Sequence, residues 1–343
     1  MELSPREIDV LTIVVDEYIA TAKPVGSRIV AKKSRSKLSP ASIRNTMADL
    51  ADKELLDQPH TSAGRVPTIK GLRYFLDTIL QIPPLSGHEM HAISDNLGHV
   101  GSDPSDIFRN TSRVLSSLSR QACLVLGPSQ GHVQWKHIDF VLLTPGKIMS
   151  ILVLQGGIVR NKIIDVDMEI TSDELVKYAN YLNSHFRGQP LGTVREKIRA
   201  QMRAAKQVFD ALYQRALILA NKTCATDNQR EIFVEGASNL LAQPEFSDIE
   251  AMRDIFKLLE ERSRLLELVD TISDEDDSRV VIGQEKSWED LEYCCLVSSP
   301  YTISNQTAGM ISVIGPVRMN YAKIIPMVDF TAQVLSQMLQ SRF

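Results

Sequence analysis

The chain has 343 residues, of which 43% are hydrophobic and 23% charged, with a formal net charge of −4. That length accommodates two or three domains with cores of their own. No apolar run approaches the roughly 18 residues of a spanning helix, and Met1-Glu2-Leu3 lacks a basic segment leading into an apolar core. Neither a membrane-spanning helix nor a secretory leader is therefore expected, and the expected location is the cytoplasm.

The charge is unevenly spread. Between residues 23 and 73 there are 11 basic and 4 acidic side chains, a net +7, so the remainder carries −11. A basic segment on an acidic body points to a nucleic-acid module. Cys123, Cys224, Cys294 and Cys295 show no CxxC spacing and read as buried free thiols rather than metal ligands or disulfides.

Ser4, Pro5 and Glu7 form a capping box. Ile8, Leu11, Val15, Tyr18, Ile19 and Ala22 then make one helical face until Pro24. A shorter helix is expected from Gly26-Ser27 to about Lys33, with Ile29 and Val30 inward. Lys32, Lys33, Arg35 and Lys37 fill the next turn, where backbone phosphates can be met.

Ser39 and Pro40 open a third helix as N-cap and first residue. Ile43, Met47, Leu50 and Glu54 fall on one side. The opposite side carries Ala41, Asn45, Ala48 and Asp52, flanked by Ser42 and Arg44. Small residues admit a helix close to base edges, and Asn and Arg suit paired contacts with adenine and guanine. An ordinary surface helix has the same polar face, so the residues after the helix carry the distinction. Residues 55–58 can extend as a strand, Ser62-Ala63-Gly64 is turn chemistry, and Arg65-Val66 can return before Pro67. Thr68 caps a further helix to about Leu80, burying Leu72, Phe75, Leu76 and Ile79. Helix, helix, recognition helix and wing make a winged helix-turn-helix. Ser42, Arg44 and Asn45 are expected at base edges, His60, Thr61, Ser62 and Arg65 on the wing, and Lys32, Lys33, Arg35, Lys37 and Arg73 at phosphates.

Residues 85–104 read as a linker with one short helix. His88 and His91, with His99 nearby, lack a fourth ligand, so no metal site is expected. A helix is expected over 107–118. Short apolar runs at 122–126, 138–143, 148–154 and 158–166 are broken by Gly127-Pro128, Pro145-Gly146-Lys147 and Gly156-Gly157, which predicts antiparallel strands. Thr171 and Glu174 cap a helix to about Phe186. From 190 to 276 the chain reads as mostly helical, with one long stripe through Val194, Ile198, Met202, Ala205, Phe209, Leu212, Ala216 and Leu219 and another through Met252, Phe256, Leu259, Leu266 and Val269, each needing a partner either within the chain or across a subunit interface. Strands resume at 280–282, 293–297 and 309–314, and a closing helix is expected over 327–339. Sheet, helix, interruption, sheet and helix suggest one α+β domain split by an insertion.

The segments Ser39-Pro40-Ala41-Ser42-Ile43-Arg44-Asn45 and Pro59-His60-Thr61-Ser62-Ala63-Gly64-Arg65-Val66-Pro67, with Lys70-Gly71-Leu72-Arg73-Tyr74, resemble HrcA, the bacterial heat-inducible transcription repressor family. Ile314-Gly315-Pro316-Val317-Arg318-Met319-Asn320-Tyr321 resembles the family's C-terminal signature. Lys53-Glu54 departs from it where a Gly-containing turn is expected, and Thr68-Ile69 where a more polar pair is. The resemblance implies a homodimer that binds the CIRCE inverted repeat upstream of chaperonin operons as a repressor, loses activity on heat stress and is kept active by the GroEL chaperonin. It also implies a GAF-like body carrying an inserted dimerising domain. The expected division is a DNA-binding domain over 1–82, a linker over 83–104, a GAF-like domain over 105–189 and 277–343, and the dimerising insertion over 190–276. The chain shows no GxxxxGK[ST], GxGxxG, HExxH or GxSxG, so neither an enzyme nor a cofactor is expected. The alternative is a winged-helix regulator that responds to a small molecule.

Overall fold

The computed structural model describes residues 2–34, 38–60, 63–98, 101, 103–128, 133–155, 157–166, 170–204, 211–224, 230–246, 249–273, 279–286, 288, 291–303 and 306–342. The fold is α+β, with antiparallel sheets.

The N-terminal unit consists of α1 (Pro5–Thr21), α2 (Ser27–Lys33), α3 (Pro40–Asp52), a hairpin of β1 (Leu56–Asp57) and β2 (Val66–Pro67), and α4 (Ile69–Tyr74). A single π-helical stretch at Phe75–Ile79 extends α4. Both expected capping devices at the start of α1 are present, with Ser4 accepting from Glu7 and Glu7 reaching back to Ser4. Val10, Leu11, Ile13, Val14 and Val15 are all buried, which is wider than the single face expected. The reason is that α1 has neighbours on two sides, α3 and the C-terminal body. In α2, Val30 is buried as expected but Ile29 is exposed. All the N-terminal core residues belong to one apolar cluster with the near face of the body.

After α5 (Gly87–Gly98) and α6 (Pro104–Ser119), β3 (Ala122–Leu126) begins the main sheet. Its partners come late in the chain: β7 (Ile232–Glu235), β8 (Val280–Ile282), β9 (Cys294–Ile303) and β10 (Gln306–Pro316), in the order β7-β3-β10-β9-β8. Cys123 and Val125 face α6 and the closing helix α12 (Tyr321–Arg342), while Ala122, Leu124 and Leu126 face α10 (Ile249–Glu260) and α11 (Arg262–Ser273). With both faces covered, β3 is an unbroken buried run and not an alternating one. All four cysteines are buried and free, and burial pushes the Cys123 thiol up to about 12.

The strands β4 (Trp135–Thr144), β5 (Lys147–Leu154) and β6 (Val159–Asp165) pair with one another in a separate sheet of order β4-β5-β6. Its inner face, including Trp135, Ile138, Ile148, Leu152 and Ile164, packs on α7 (Ser172–Phe186), α8 (Leu191–Ala204) and α9 (Ala211–Cys224). This differs from the expected break at 190, which joins these strands to the late ones and detaches α8 and α9 from them. Period-two alternation shows that a face is buried but not against what, and consecutive strands close most readily on each other. The stripe Val194, Ile198, Ala216 and Leu219 is accordingly spent inside the subunit. Strand β7 arises within the stretch expected to be helical. The closing helix starts at Tyr321, ahead of Pro326, because Asn320 caps it through Oδ1 to the Lys323 N–H at 3.3 Å. Pro326 removes only one helical donor.

Candidate nucleic-acid interface

Ser39 caps α3 as expected, its Oγ accepting from the Ser42 N–H at 3.2 Å. Ile43, Thr46, Met47 and Leu50 are buried, which leaves Ala41, Arg44, Asn45 and Asp49 exposed along the other side. Glu54 does not continue the buried face. The helix ends at Asp52, and Glu54 takes φ 61°, the left-handed turn where a glycine is expected. A side chain there costs about 1 to 2 kcal/mol. The turn is held by Thr68 Oγ1 donating to the Glu54 carbonyl at 2.6 Å and by a Lys70–Glu54 ion pair at 2.6 Å. Thr68 also caps α4, accepting from the Gly71 N–H at 2.9 Å. Gly71 itself is required, since a Cβ would stand 2.0 Å from the Leu55 carbonyl oxygen.

Ser42 is half-buried and not free at a base edge. Arg6 of α1 donates to its carbonyl at 2.6 Å and to its hydroxyl at 2.9 Å. This exposed arginine at the start of α3 escaped sequence reading because its partner lies 36 residues away. No local pattern marks such a contact.

The hairpin pairs Leu56 with Pro67 and Asp57 with Val66, and a third segment joins it. Val25 and Arg65 exchange backbone hydrogen bonds at 2.8 and 2.9 Å. Gly64 permits this approach, because a Cβ on it would lie 2.4 Å from the Val25 carbonyl carbon. At the tip, the Ala63 N–H donates to the His60 carbonyl at 2.8 Å, and His60 is exposed. Thr61 and Ser62 lie outside the described residues. Arg44 of α3 and Arg65 of the hairpin both line a cleft of about 470 Å³, together with Ser27 and Gln58. Two arginines from separate elements thus border one concavity.

The expected phosphate cations divide. Lys32 is exposed at the end of α2, joined by the exposed Arg28 and Lys23, which the sequence reading left unassigned. Lys33 is ion-paired with Glu17. Arg35 and Lys37 lie outside the described residues. Arg73 departs from its expected role. Its Nε donates to Glu285 at 2.9 Å, Nη2 also pairs with Glu285, and Nη1 and Nη2 each reach the Val280 carbonyl at 3.1 Å. Its guanidinium is used to hold the N-terminal unit to the body, 212 residues further along the chain. The far end of α3 is fixed to α1 by Lys53, whose Nζ lies 2.6 Å from the Glu7 carboxylate.

Comparison with known proteins supplies what geometry does not. The family model described as HrcA protein C terminal domain matches residues 105–325. The heat-inducible transcription repressor HrcA of Syntrophobacter fumaroxidans is 40% identical over 341 residues, 99% of this chain and 98% of that protein. The HrcA repressor of Geobacter sulfurreducens is 40% identical over 339 residues, 99% of both chains. A crystal structure of a hypothetical protein superposes over the whole of both chains with a TM-score of 0.61 at 22% identity, so the complete fold is shared.

Proposed function

The chain belongs to the HrcA family of heat-inducible transcription repressors, and we propose that it represses as a homodimer whose two α3 helices enter successive major-groove half-sites of an inverted repeat. A repressor family, and not an enzyme, is what its relatives make it. In this reading the N-terminal unit is a winged helix-turn-helix. Its strongest support is the single observation that Arg44 on the exposed side of α3 and Arg65 on the hairpin face one cleft. Asn45 and Arg44 read base edges. Arg65, His60, Thr61 and Ser62 form the wing. Lys32, Arg35 and Lys37 meet phosphates, as do Arg6 and Arg28, and Lys33 joins them on leaving Glu17. Two-fold protein symmetry then matches the two-fold symmetry of the CIRCE repeat.

The five-stranded antiparallel sheet with helices on both faces supports a GAF-like body. The sheet pairing supports an inserted unit running from about 133 to 224. Its outer face is the proposed dimer surface: Val141, Met149 and Ile163 stand side by side across β4, β5 and β6, and Val141, Leu143, Val159 and Ile163 are 42 to 58% exposed. An apolar sheet face of this kind marks an association surface. Loss of the dimer or of the marginal fold on heating would free the operator, and the GroEL chaperonin would restore the binding state.

The test is binding of the full chain to a labelled CIRCE duplex and to a scrambled duplex, at two salt concentrations, with and without the chaperonin. Preference for the repeat, increased by chaperonin, is expected. Equal weak binding to both duplexes under every condition overturns the reading.

A further inference from the structure

Apolar contact runs across the junction between the N-terminal unit and the body, but two clefts, of about 410 and 170 Å³, interrupt it. Ile19 and Arg318 line both clefts. Apolar contact is non-directional and leaves the angle between the two units open, whereas hydrogen bonds have preferred geometry. Two guanidinium ties supply them. Arg318 of the body donates to the Ile19 carbonyl, near the end of α1, at 3.1 Å, and is itself held by Glu245 and by Gln243 Oε1 at 3.2 Å. Its side chain is only 13% exposed. The second tie runs from Arg73 of α4 to Glu285 and the Val280 carbonyl. The covalent connection, residues 80–86, is neither helix nor strand, so it sets a reach and no orientation.

The recognition helix is braced to the opposite end of α1. Lys53 pairs with Glu7 there, and Arg6 donates to the Ser42 carbonyl. Glu7 and Ile19 are about 18 Å apart along one helix. Helix α1 is thus a rod with α3 near one end and Arg318 at the other. A tilt of roughly 10° about the Arg318 end shifts α3 by about 3 Å, well beyond the roughly 0.5 Å within which recognition groups must be held.

We propose that Arg73 and Arg318 are positioning residues that fix the angle of the DNA-binding unit on the body, and thereby set the half-site separation that the dimer accepts. The inference rests on the reading of the chain as a dimeric repressor of an inverted repeat. Moving two half-sites apart by about 5 bp displaces them by about 17 Å and turns one through half a helical turn. Tied units cannot follow that change. A unit held chiefly by residues 80–86, which reach about 23 Å when extended, can. Both ties can be cut from the body side, by Arg318→Ala and Glu285→Ala, with every residue of the DNA-binding unit left as it is.

The experiment measures affinity of the full chain for a CIRCE duplex, for the same duplex with its spacer lengthened by about 5 bp, for a single half-site and for a scrambled duplex. The parent is expected to lose about 100-fold or more on the lengthened repeat, since one of two linked contacts is forfeited. In the double variant Arg318→Ala/Glu285→Ala that loss shrinks to about tenfold or less, affinity for the unchanged repeat falls, and half-site affinity keeps the parent's value. Glu285→Ala alone cuts one tie and gives an intermediate ratio, which decides the matter if the double variant unfolds. An undiminished loss in variants with intact half-site binding overturns the inference. Half-site affinity that falls as far as repeat affinity in both variants does so too, because the ties are then merely structural. A parent that prefers the repeat to the scrambled duplex yet tolerates the longer spacer overturns this inference alone. A parent with no preference for the repeat overturns the operator reading, and this inference with it.

Discussion

Arg73 and Glu285 join the N-terminal unit to the edge of the five-stranded sheet, Nε to carboxylate at 2.9 Å, with side chains only 25% and 28% exposed. The same guanidinium holds the Val280 carbonyl, so a single side chain sets the seat of α4 on β8. Arg73→Ala is expected to cost about 1 to 3 kcal/mol in urea unfolding, since it strands a partly buried carboxylate and a carbonyl. A double-mutant cycle with Glu285→Ala isolates the pair. The salt dependence of DNA binding is expected to stay unchanged. A slope reduced by about one would return Arg73 to the phosphate surface.

The hairpin depends on a close approach that tolerates no Cβ. Gly64→Ala forces a methyl within 2.5 Å of the Val25 carbonyl oxygen and breaks the Val25–Arg65 exchange. A loss of about 2 kcal/mol or more is expected, together with weaker DNA binding. Gly26→Ala is the control, because nothing lies within 4 Å of its added methyl. Equal denaturation midpoints for the two variants would show that the hairpin yields freely.

Acid acts on the brace between α1 and α3. Lys53, first, and the Ser4 N–H hold the Glu7 carboxyl down from 4.5 to about 2. A carboxylate depressed in the folded state contributes stability that is complete above its unfolded value and drains as pH falls towards its folded one. Glu7→Gln is therefore expected to be less stable than the parent at pH 7, with the gap narrowing as pH drops from about 4.5 towards 2. Urea midpoints at pH 7, 4 and 3 measure it. A gap constant across that series contradicts the linkage.

Base reading and phosphate contact separate by variant. Asn45→Ala is expected to lose about 1 to 3 kcal/mol on the operator and little on random DNA. Lys32→Ala weakens both and lowers the salt slope by about one. Equal losses on both DNAs for Asn45→Ala would remove that residue from base recognition.

The outer face of β4, β5 and β6 is tested by charge. Ile163, 58% exposed on that apolar face, becomes a repulsive pair across a two-fold interface when changed to Lys. Sedimentation is expected to give a dimer for the parent and a monomer for Ile163→Lys. A persistent dimer places the interface elsewhere.

What the sequence determined by itself is local. The boxes at Ser4–Glu7 and Thr171–Glu174, the caps at Ser39 and Thr68, and the turn at Pro145-Gly146 are contacts within a few residues, so their chemistry is complete in a short stretch of chain. The exposed side of α3 was legible for the same reason, because helical spacing alone sets Asn45 opposite Ile43, Met47 and Leu50, with Arg44 on the flank. Tertiary structure decided everything that depends on distant partners. It took Ser42 for Arg6 and Arg73 for Glu285, paired β3 with strands more than a hundred residues downstream, and spent the α8 and α9 stripes on a sheet of their own. An apolar stripe or a surface cation announces that it needs a partner. Only the folded chain settles which of several chemically equivalent partners comes within reach.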